Sequence, residues 1–221
     1  ADVRALAVEP DPERPLSVRL TVAGAPRYHI PLPGDFNGAD ALAAVELARA
    51  LGLNDGAVRA GLAHAAVPGR AQRLRVPAPF EVVIDYAHNG ASFDAVLSAL
   101  TAHHPRRIIT VFGAGGDRPK LRRRDMARSA VRWADYAVVT ADNPRSEPVE
   151  AICADLSAAL GEFPHEVVPD RRAAIFRALD LAGPGDIVAL LGKGHEEYIE
   201  EKGVRRPFSE RAVVAEYFAG R

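Results

Sequence analysis

The sequence predicts an α/β protein in which a small β-meander with two helices precedes a doubly wound, mostly parallel sheet. Three observations predict it. Val82, Val83 and Ile84 form an unbroken apolar run ending in Asp85, as a strand buried on both faces does. Phe93, Val96, Leu97 and Leu100 then recur at the i, i+3, i+4, i+7 spacing of a helix. The same order recurs three times downstream, with strands at 107–112, 136–140 and 186–191 running into Gly113–Arg118, Asp142–Arg145 and Gly192–Glu196. Parallel strands would bring all four polar loops to one carboxyl edge, where open α/β sheets bind ligands.

The N-terminal part reads differently. Residues 3–9 and 16–22 alternate apolar and polar side chains with period two, and a proline-rich loop, 10–15, separates them. Gly24-Ala-Pro26 turns the chain into a third short strand at 28–31. Residues 32–37 read as a loop, 39–51 as an alanine-rich helix stopped by Gly52, and 55–62 as a second helix. Val67-Pro-Gly-Arg70 is a turn, 72–76 a strand, and Pro77-Ala-Pro79 a linker. The expected division is therefore 1–78 and 79–221.

Beyond Phe80 strands alternate with helices, expected at 91–103, 120–132, 148–160, 171–182 and 209–218, with one further strand at 163–168. Asp170 and Ser209 are the expected N-caps of the last two helices. Pro184-Gly185 ends the fourth of them, and the last packs through Val213, Val214, Tyr217 and Phe218. Alternation of this kind builds right-handed βαβ units.

Bulk properties exclude several classes. The 221 residues are 48% hydrophobic and 26% charged, which is globular composition. A net charge of −1 gives no global field for nucleic acid or membrane. The local basic run Arg118, Lys120, Arg122, Arg123, Arg124 and Arg128 follows a glycine loop and suits an anion as well as a solvated helix face. The single cysteine, Cys153, excludes an internal disulfide and shares an apolar helix face with Leu156 and Leu160. No apolar run reaches membrane-spanning length and no signal peptide opens the chain, so a cytoplasmic protein is expected, monomeric and without nucleic-acid or membrane partners. Ala1 is not a natural start, which suggests a piece of a longer protein. His103 and His104, ending a helix, are expected to face solvent.

Asp85-Tyr-Ala-His-Asn89, Gly115-Gly-Asp-Arg118, Asp142-Asn-Pro-Arg145 and Gly192-Lys-Gly-His-Glu196 stand in this order at spacings that resemble the C-terminal region of the Mur ligase family. Leu32–Asn37 and Val67–Arg70 resemble the end of that family's central ATP-binding domain. The branch most similar adds the third residue of the peptidoglycan stem. The resemblance implies a Rossmann-like C-terminal domain preceded by the last part of the central domain. It implies ATP and Mg²⁺, a UDP-linked muramoyl dipeptide as acceptor and a diamino acid as the incoming amine, joined to it through an acyl phosphate. It also implies a closing domain that assembles the site and keeps water from that intermediate. No Gly-x-x-x-x-Gly-Lys-Ser/Thr occurs in the chain; Gly192-Lys193 is followed by Gly194 where a hydroxyl residue is needed. The isolated chain is therefore expected to be inactive.

Residue by residue, the resemblance implies that Asp85 accepts ribose hydroxyls, Arg70 reaches ATP phosphates and Asn37 lines the adenine pocket, with His88 beside the nucleotide. Asp40 stands where the family often has a second asparagine, and an acid cannot donate to the ring nitrogens. Asp142, Asn143 and Arg145 match the amino-acid motif, in which Arg145 grips a substrate carboxylate with two hydrogen bonds. Arg123 aligns with the arginine for the α-carboxylate, and Arg122 or Arg124 are substitutes. Gly192 offers backbone to the far end of the amino acid and Glu196 pairs with its distal ammonium, while His195 is structural. No residue of this chain is expected to ligate a metal.

The added amino acid is expected to be meso-diaminopimelate, with L-lysine and L-ornithine as alternatives. Folylpolyglutamate and cyanophycin synthetases are relatives, but the 142–145 and 192–196 motifs argue against both. A non-catalytic ligand-sensing or partner domain is the reading from another class, and the partial domain before Pro77 argues against it. A generic dinucleotide binder is disfavoured because Gly113-Ala-Gly-Gly lacks the Gly-x-Gly-x-x-Gly spacing.

Overall fold

A computed structural model describes residues 5–220 and divides the chain into two units, Ala1–Val67 with Ser98–His104, and Pro68–Leu97 with Pro105–Arg221. In the first, β1 (Ala5–Pro10), β2 (Val18–Val22) and β3 (Tyr28–Ile30) form an antiparallel meander. Val3 and Arg4 of the predicted first strand lie outside the described residues. Val18, Leu20 and Val22 alternate inward with Tyr28 and Ile30. Two helices, α1 (Asp35–Ala50) and α2 (Asp55–Leu62), close this core with Ala41, Val45 and Val58. Asn54 caps α2 by accepting from the Ala57 N–H at 2.9 Å.

Two expectations fail in this unit. α1 begins at Asp35, four residues before the predicted start, so Asn37 lies in its first turn rather than in a loop. Gly34 enters the helix at φ +94°, a conformation glycine adopts without strain, and Asp35 places an acid at the positive helix end. His103 does not face solvent: it is half-buried, its Nε2 takes no hydrogen bond among the described residues, and burial lowers its pKa.

The second unit holds the sheet, in the order β4-β5-β9-β6-β7-β8. Its strands are β4 (Gln72–Leu74), β5 (Glu81–Asp85), β6 (Ile108–Phe112), β7 (Tyr136–Val139), β8 (His165–Val167) and β9 (Ile187–Leu191). All pairings are parallel except β4 with β5. Val82, Ile84, Ile109, Val111, Val138, Val188 and Leu190 face one side, against α6 (Arg171–Leu181) and α7 (Glu210–Ala219). The alternate residues face the other side, where Phe93 of α3 (Gly90–Thr101) meets Phe112 edge-on at 5.2 Å between ring centroids. There α4 (Leu121–Trp133) packs on α5 (Val149–Leu160), and α5 packs on β7 and β8. Helices on both faces explain why the central residues of β5, β6 and β9 are buried on both sides rather than alternating. Asp170 and Ser209 cap α6 and α7 as predicted. Cys153 is buried in α5, and burial pushes its thiol up to about 11.

Two features of the sheet lie outside the sequence reading. β9, last of the parallel strands in the chain, inserts between β5 and β6 and is hydrogen-bonded to both. A hairpin of β10 (Tyr198–Glu201) and β11 (Val204–Pro207) follows it. Its two-residue turn, Lys202-Gly203, has φ +49° and +77°, the primed geometry that suits a tight hairpin. That glycine was the available signal.

Candidate functional site

The insertion of β9 makes the loops after β5, β9, β6 and β7 neighbours along one edge. They enclose a cleft of about 110 Å³, lined among others by Tyr86, His88, Gly115, Arg122, Asp142 and Gly192. Arg123, Asn143, Arg145 and Glu196 also line it. The geometry therefore gathers His88 and all six amino-acid candidates, Arg123, Asp142, Asn143, Arg145, Gly192 and Glu196. Asn37 belongs to the first unit, where its Nδ2 donates to the Pro33 carbonyl at 2.6 Å.

Asp85, at the end of β5, is buried and holds the turn before β4. Its Oδ2 accepts from the Ala71 N–H and its Oδ1 from the Ala87 N–H, both at 2.6 Å. Burial pushes its carboxyl up, against the pull of those two bonds. Each oxygen keeps a lone pair, so a hydroxyl donor remains chemically acceptable. The adjacent Arg70 is exposed and its guanidinium lies 4.8 Å from the centre of the Tyr86 ring. His88 and His195 flank the same ring at 4.8 and 5.0 Å. Tyr86 was not singled out from sequence, where it read as part of a strand end. Its hydroxyl is pushed up by burial and by the Glu196 and Asp142 charges.

The loop after β7 is braced from below and from the side. Arg171, at the start of α6, is fully buried and donates to the Ala141 carbonyl at 2.7 Å and the Leu191 carbonyl at 2.8 Å. These carbonyls immediately precede Asp142 and Gly192. Arg171 also pairs with Glu210 at 2.8 Å. From the side, Arg145 N–H donates to the Glu200 carbonyl at 3.0 Å and Lys202 N–H to the Arg145 carbonyl at 2.6 Å. These bonds hold Arg145 at φ +52°, an uncommon conformation for a side-chain-bearing residue. Its Nη1 donates to the Gly116 carbonyl at 2.7 Å. Among the described residues it forms no ion pair, so most of its donors stay open to a ligand.

Asn143 is buried and engaged on both ends: Nδ2 donates to Glu196 Oε2 at 2.8 Å, and Oδ1 accepts from Lys193 Nζ and Glu200 N, each at 2.9 Å. Lys193 Nζ also donates to Glu196 Oε2 at 2.9 Å and lies 3.5 Å from Asp142 Oδ1. Burial raises the Glu196 carboxyl, but the Lys193 and Asn143 bonds overcome it and leave the group below its ordinary value. Lys193 was read from sequence only as a failed phosphate loop; the structure puts it at the centre of the cluster. At Gly192, φ is +112°, which favours glycine, and an added Cβ would come within 2.9 Å of Asp142 Oδ2 and push that carboxylate aside.

Arg123 lies on the opposite wall and is 2% exposed. Its Nη1 bonds Asp155 at 2.6 Å and its Nη2 bonds Glu147 at 2.7 and 2.8 Å. Both terminal nitrogens are thus committed to protein carboxylates. Arg122 and Arg118 are exposed on the same wall of the cleft, whereas Arg124 faces a separate groove between α4 and α5.

The comparisons agree with this architecture. Residues 69–194 match the family model described as Mur ligase, glutamate ligase domain. A UDP-N-acetylmuramoyl-L-alanyl-D-glutamate–2,6-diaminopimelate ligase of Streptomyces avermitilis is 41% identical over 98% of this chain and 44% of its own length. The enzyme of the same name from Solibacter usitatus is 42% identical over 86% of the chain and 39% of its own. The chain thus spans less than half the length of these curated relatives. A solved structure of a ligase of that name superposes with a TM-score of 0.72 at 32% identity, over 100% of this chain and 46% of that one. A Mycobacterium tuberculosis folylpolyglutamate synthase, complexed with ADP and AMPPCP, gives a TM-score of 0.69 at 25% identity over 87% of this chain and 45% of its own. A matched domain covering more than half the chain, on a sheet whose four loops meet at one cleft, places the protein in the Mur ligase family.

Proposed function

We propose that this chain is the closing, amino-acid-binding part of an ATP-dependent amide ligase. The ligase adds a diamino acid, meso-diaminopimelate, to UDP-N-acetylmuramoyl-L-alanyl-D-glutamate through an acyl phosphate. The observation that carries the reading is the pairing, in one cleft, of an arginine without a protein carboxylate, Arg145, with a carboxylate, Glu196, that keeps one oxygen open. A substrate end bearing both a carboxylate and an ammonium complements that pair; lysine or ornithine would leave Arg145 unanswered.

In this reading Arg145 grips the distal carboxylate and Glu196 the distal ammonium, with Asp142, Asn143 and Gly192 shaping the pocket. The α-carboxylate is assigned to the basic wall, where Arg123 supplies the fixed frame and Arg122 the open guanidinium. On the nucleotide side, Asp85 receives ribose hydroxyls, Arg70 reaches phosphates and His88 stands beside the nucleotide, while Asn37 keeps its assignment to the adenine. ATP and Mg²⁺ supply the activation of the acceptor carboxylate. What these residues contribute is orientation and exclusion of water, which raise the chance that the amine attacks before hydrolysis does. An amino-acid panel on the full-length ligase tests this: diaminopimelate should be used far better than lysine or ornithine, and a preference for either would overturn it.

Two further expectations arise here. The isolated 221-residue chain should turn over no ATP, because it lacks a phosphate-cradling Gly-x-x-x-x-Gly-Lys-Ser/Thr loop. Phosphate release by the pure chain would contradict this. The domain boundary is assigned near 78, with 1–78 ending the ATP-binding domain and 79–221 forming the C-terminal domain. Limited proteolysis should yield a stable fragment starting close to 78; a start near 68, where the second structural unit begins, would overturn this boundary and assign β4 and Arg70 to the C-terminal domain. No helix among the described residues is long and apolar enough to cross a membrane.

A further inference from the structure

Resting on the ligase reading above, we propose that Lys193 is a positioning residue that, together with Asn143, aims Glu196 at the distal ammonium of the incoming amino acid. The case begins with burial. Lys193 has no exposed surface, yet it carries an ammonium, and a buried charge persists only where partners repay its lost hydration. Its partners are Asn143 Oδ1 and Glu196 Oε2, both at 2.9 Å, with Asp142 Oδ1 at 3.5 Å and the Tyr198 ring centre at 5.2 Å.

These bonds decide two orientations. Asn143 faces two donors, Lys193 Nζ and the Glu200 N–H, so its oxygen must point to them and its Nδ2 must point to Glu196. Glu196 then receives both protein donors on Oε2. Oε1 takes no protein hydrogen bond among the described residues and is left to accept from the cleft. The charges lead to the same conclusion. Asp142 and Glu196 against Lys193 leave one negative charge in excess, and one ligand ammonium balances it. Glu210, buried at the start of α7, is already answered by Arg171.

Without Lys193, the neighbouring Asp142 and Glu196 carboxylates would have no cation bonded to them, and the site would take up a proton more readily. The titratable and charged groups around Glu196 are Lys193 and His195 on its own turn, Asp142 and Arg145 after β7, Tyr86 after β5, Tyr198 on β10, and more distantly Glu210 on α7. Lys193 is the one that donates to Glu196 and also opposes both carboxylates. Its removal should therefore make binding of the ammonium depend on pH, with affinity falling as pH falls and Glu196 becomes neutral.

The experiment uses the full-length ligase. Wild-type turnover with a diamino acid is measured first; its absence would overturn the ligase reading and this proposal with it. KM for the amino acid is then compared in wild type, Lys193→Met and Lys193→Arg over about pH 5.5–8.5, the range spanning the histidine and raised-glutamate region. Lys193→Met should raise that KM about tenfold to a hundredfold near pH 7. The difference from wild type should widen as pH falls, with KM for ATP unchanged and Lys193→Arg restoring part of the loss. An unchanged amino-acid KM, or equal rises for ATP and amino acid, would overturn the proposal. Should neither variant fold, the carbon-13 shift of the Glu196 carboxyl in selectively labelled wild-type enzyme still decides. Titration below the ordinary glutamate value supports Lys193 as the group that keeps Glu196 ionised, and titration above it overturns that role.

Discussion

Arg145→Ala is expected to lower the specificity constant of the full-length ligase for diaminopimelate by about 30-fold to several-thousand-fold, and to leave its weak use of lysine nearly unchanged. The two amino acids differ at the far end, where only diaminopimelate adds a carboxylate beside the amine. Truncating the arginine leaves that carboxylate desolvated and unpaired, a loss of roughly 2–5 kcal/mol, at about 1.4 kcal/mol per decade. The structure makes this a clean substitution. The backbone of residue 145 is held by Glu200 and Lys202 rather than by its own side chain, and the single side-chain tie is to the Gly116 carbonyl. Alanine at φ +52° is no more strained than the arginine it replaces. Glu196→Ala should instead weaken both amino acids, since both present a distal ammonium. Equal losses for lysine and diaminopimelate in Arg145→Ala would show that Arg145 acts on the loop or on the α-carboxylate.

Arg171→Met should destabilise the second unit by about 3–5 kcal/mol, the usual result of removing one member of a buried ion pair. Arg171 and Glu210 have side-chain exposures of 0% and 1%, so little solvent screens the charge left behind. Burial already pushes the Glu210 carboxyl up, and Arg171 is the group that opposes this. Its loss would leave Glu210 to take up a proton and the Ala141 and Leu191 carbonyls without their donor. The melting midpoint should fall by roughly 10 °C, read from the fluorescence of Trp133, the single tryptophan, which lies in this unit. The double change Arg171→Met with Glu210→Leu should recover part of the loss, because two apolar side chains replace a pair whose desolvation is costly. A fall of only a degree or two in the single variant would mean that water or rearrangement satisfies Glu210.

Much of this site is visible in the chain itself. The four polar loops could be placed at strand ends because an apolar run followed by a helical repeat is a local pattern. Within those loops, the resemblance to the Mur ligases is what points to Asp142, Asn143, Arg145, Gly192 and Glu196. The caps Asp170 and Ser209 were legible as local patterns too, since a cap acts three residues away. The start of α1 at Asp35 is not legible in the sequence, because Pro33-Gly34 resembles a loop and the first helical turn carries no apolar repeat.

Other features are set by residues far apart in the chain. Arg123 looked open to a ligand until Glu147 and Asp155, 24 and 32 positions away, were found to hold its terminal nitrogens. Lys193 looked incidental until Asn143, 50 positions away, turned its oxygen toward it. By itself the sequence determined which residues stand at strand ends, because the periods of helix and strand run along the chain. Only the tertiary structure decided that β9 lies between β5 and β6, which of the long charged side chains meet one another, and which are left for a ligand. Strand order and the pairing of flexible, charged side chains are settled by burial and by competition among distant partners, and neither leaves a repeat in the sequence.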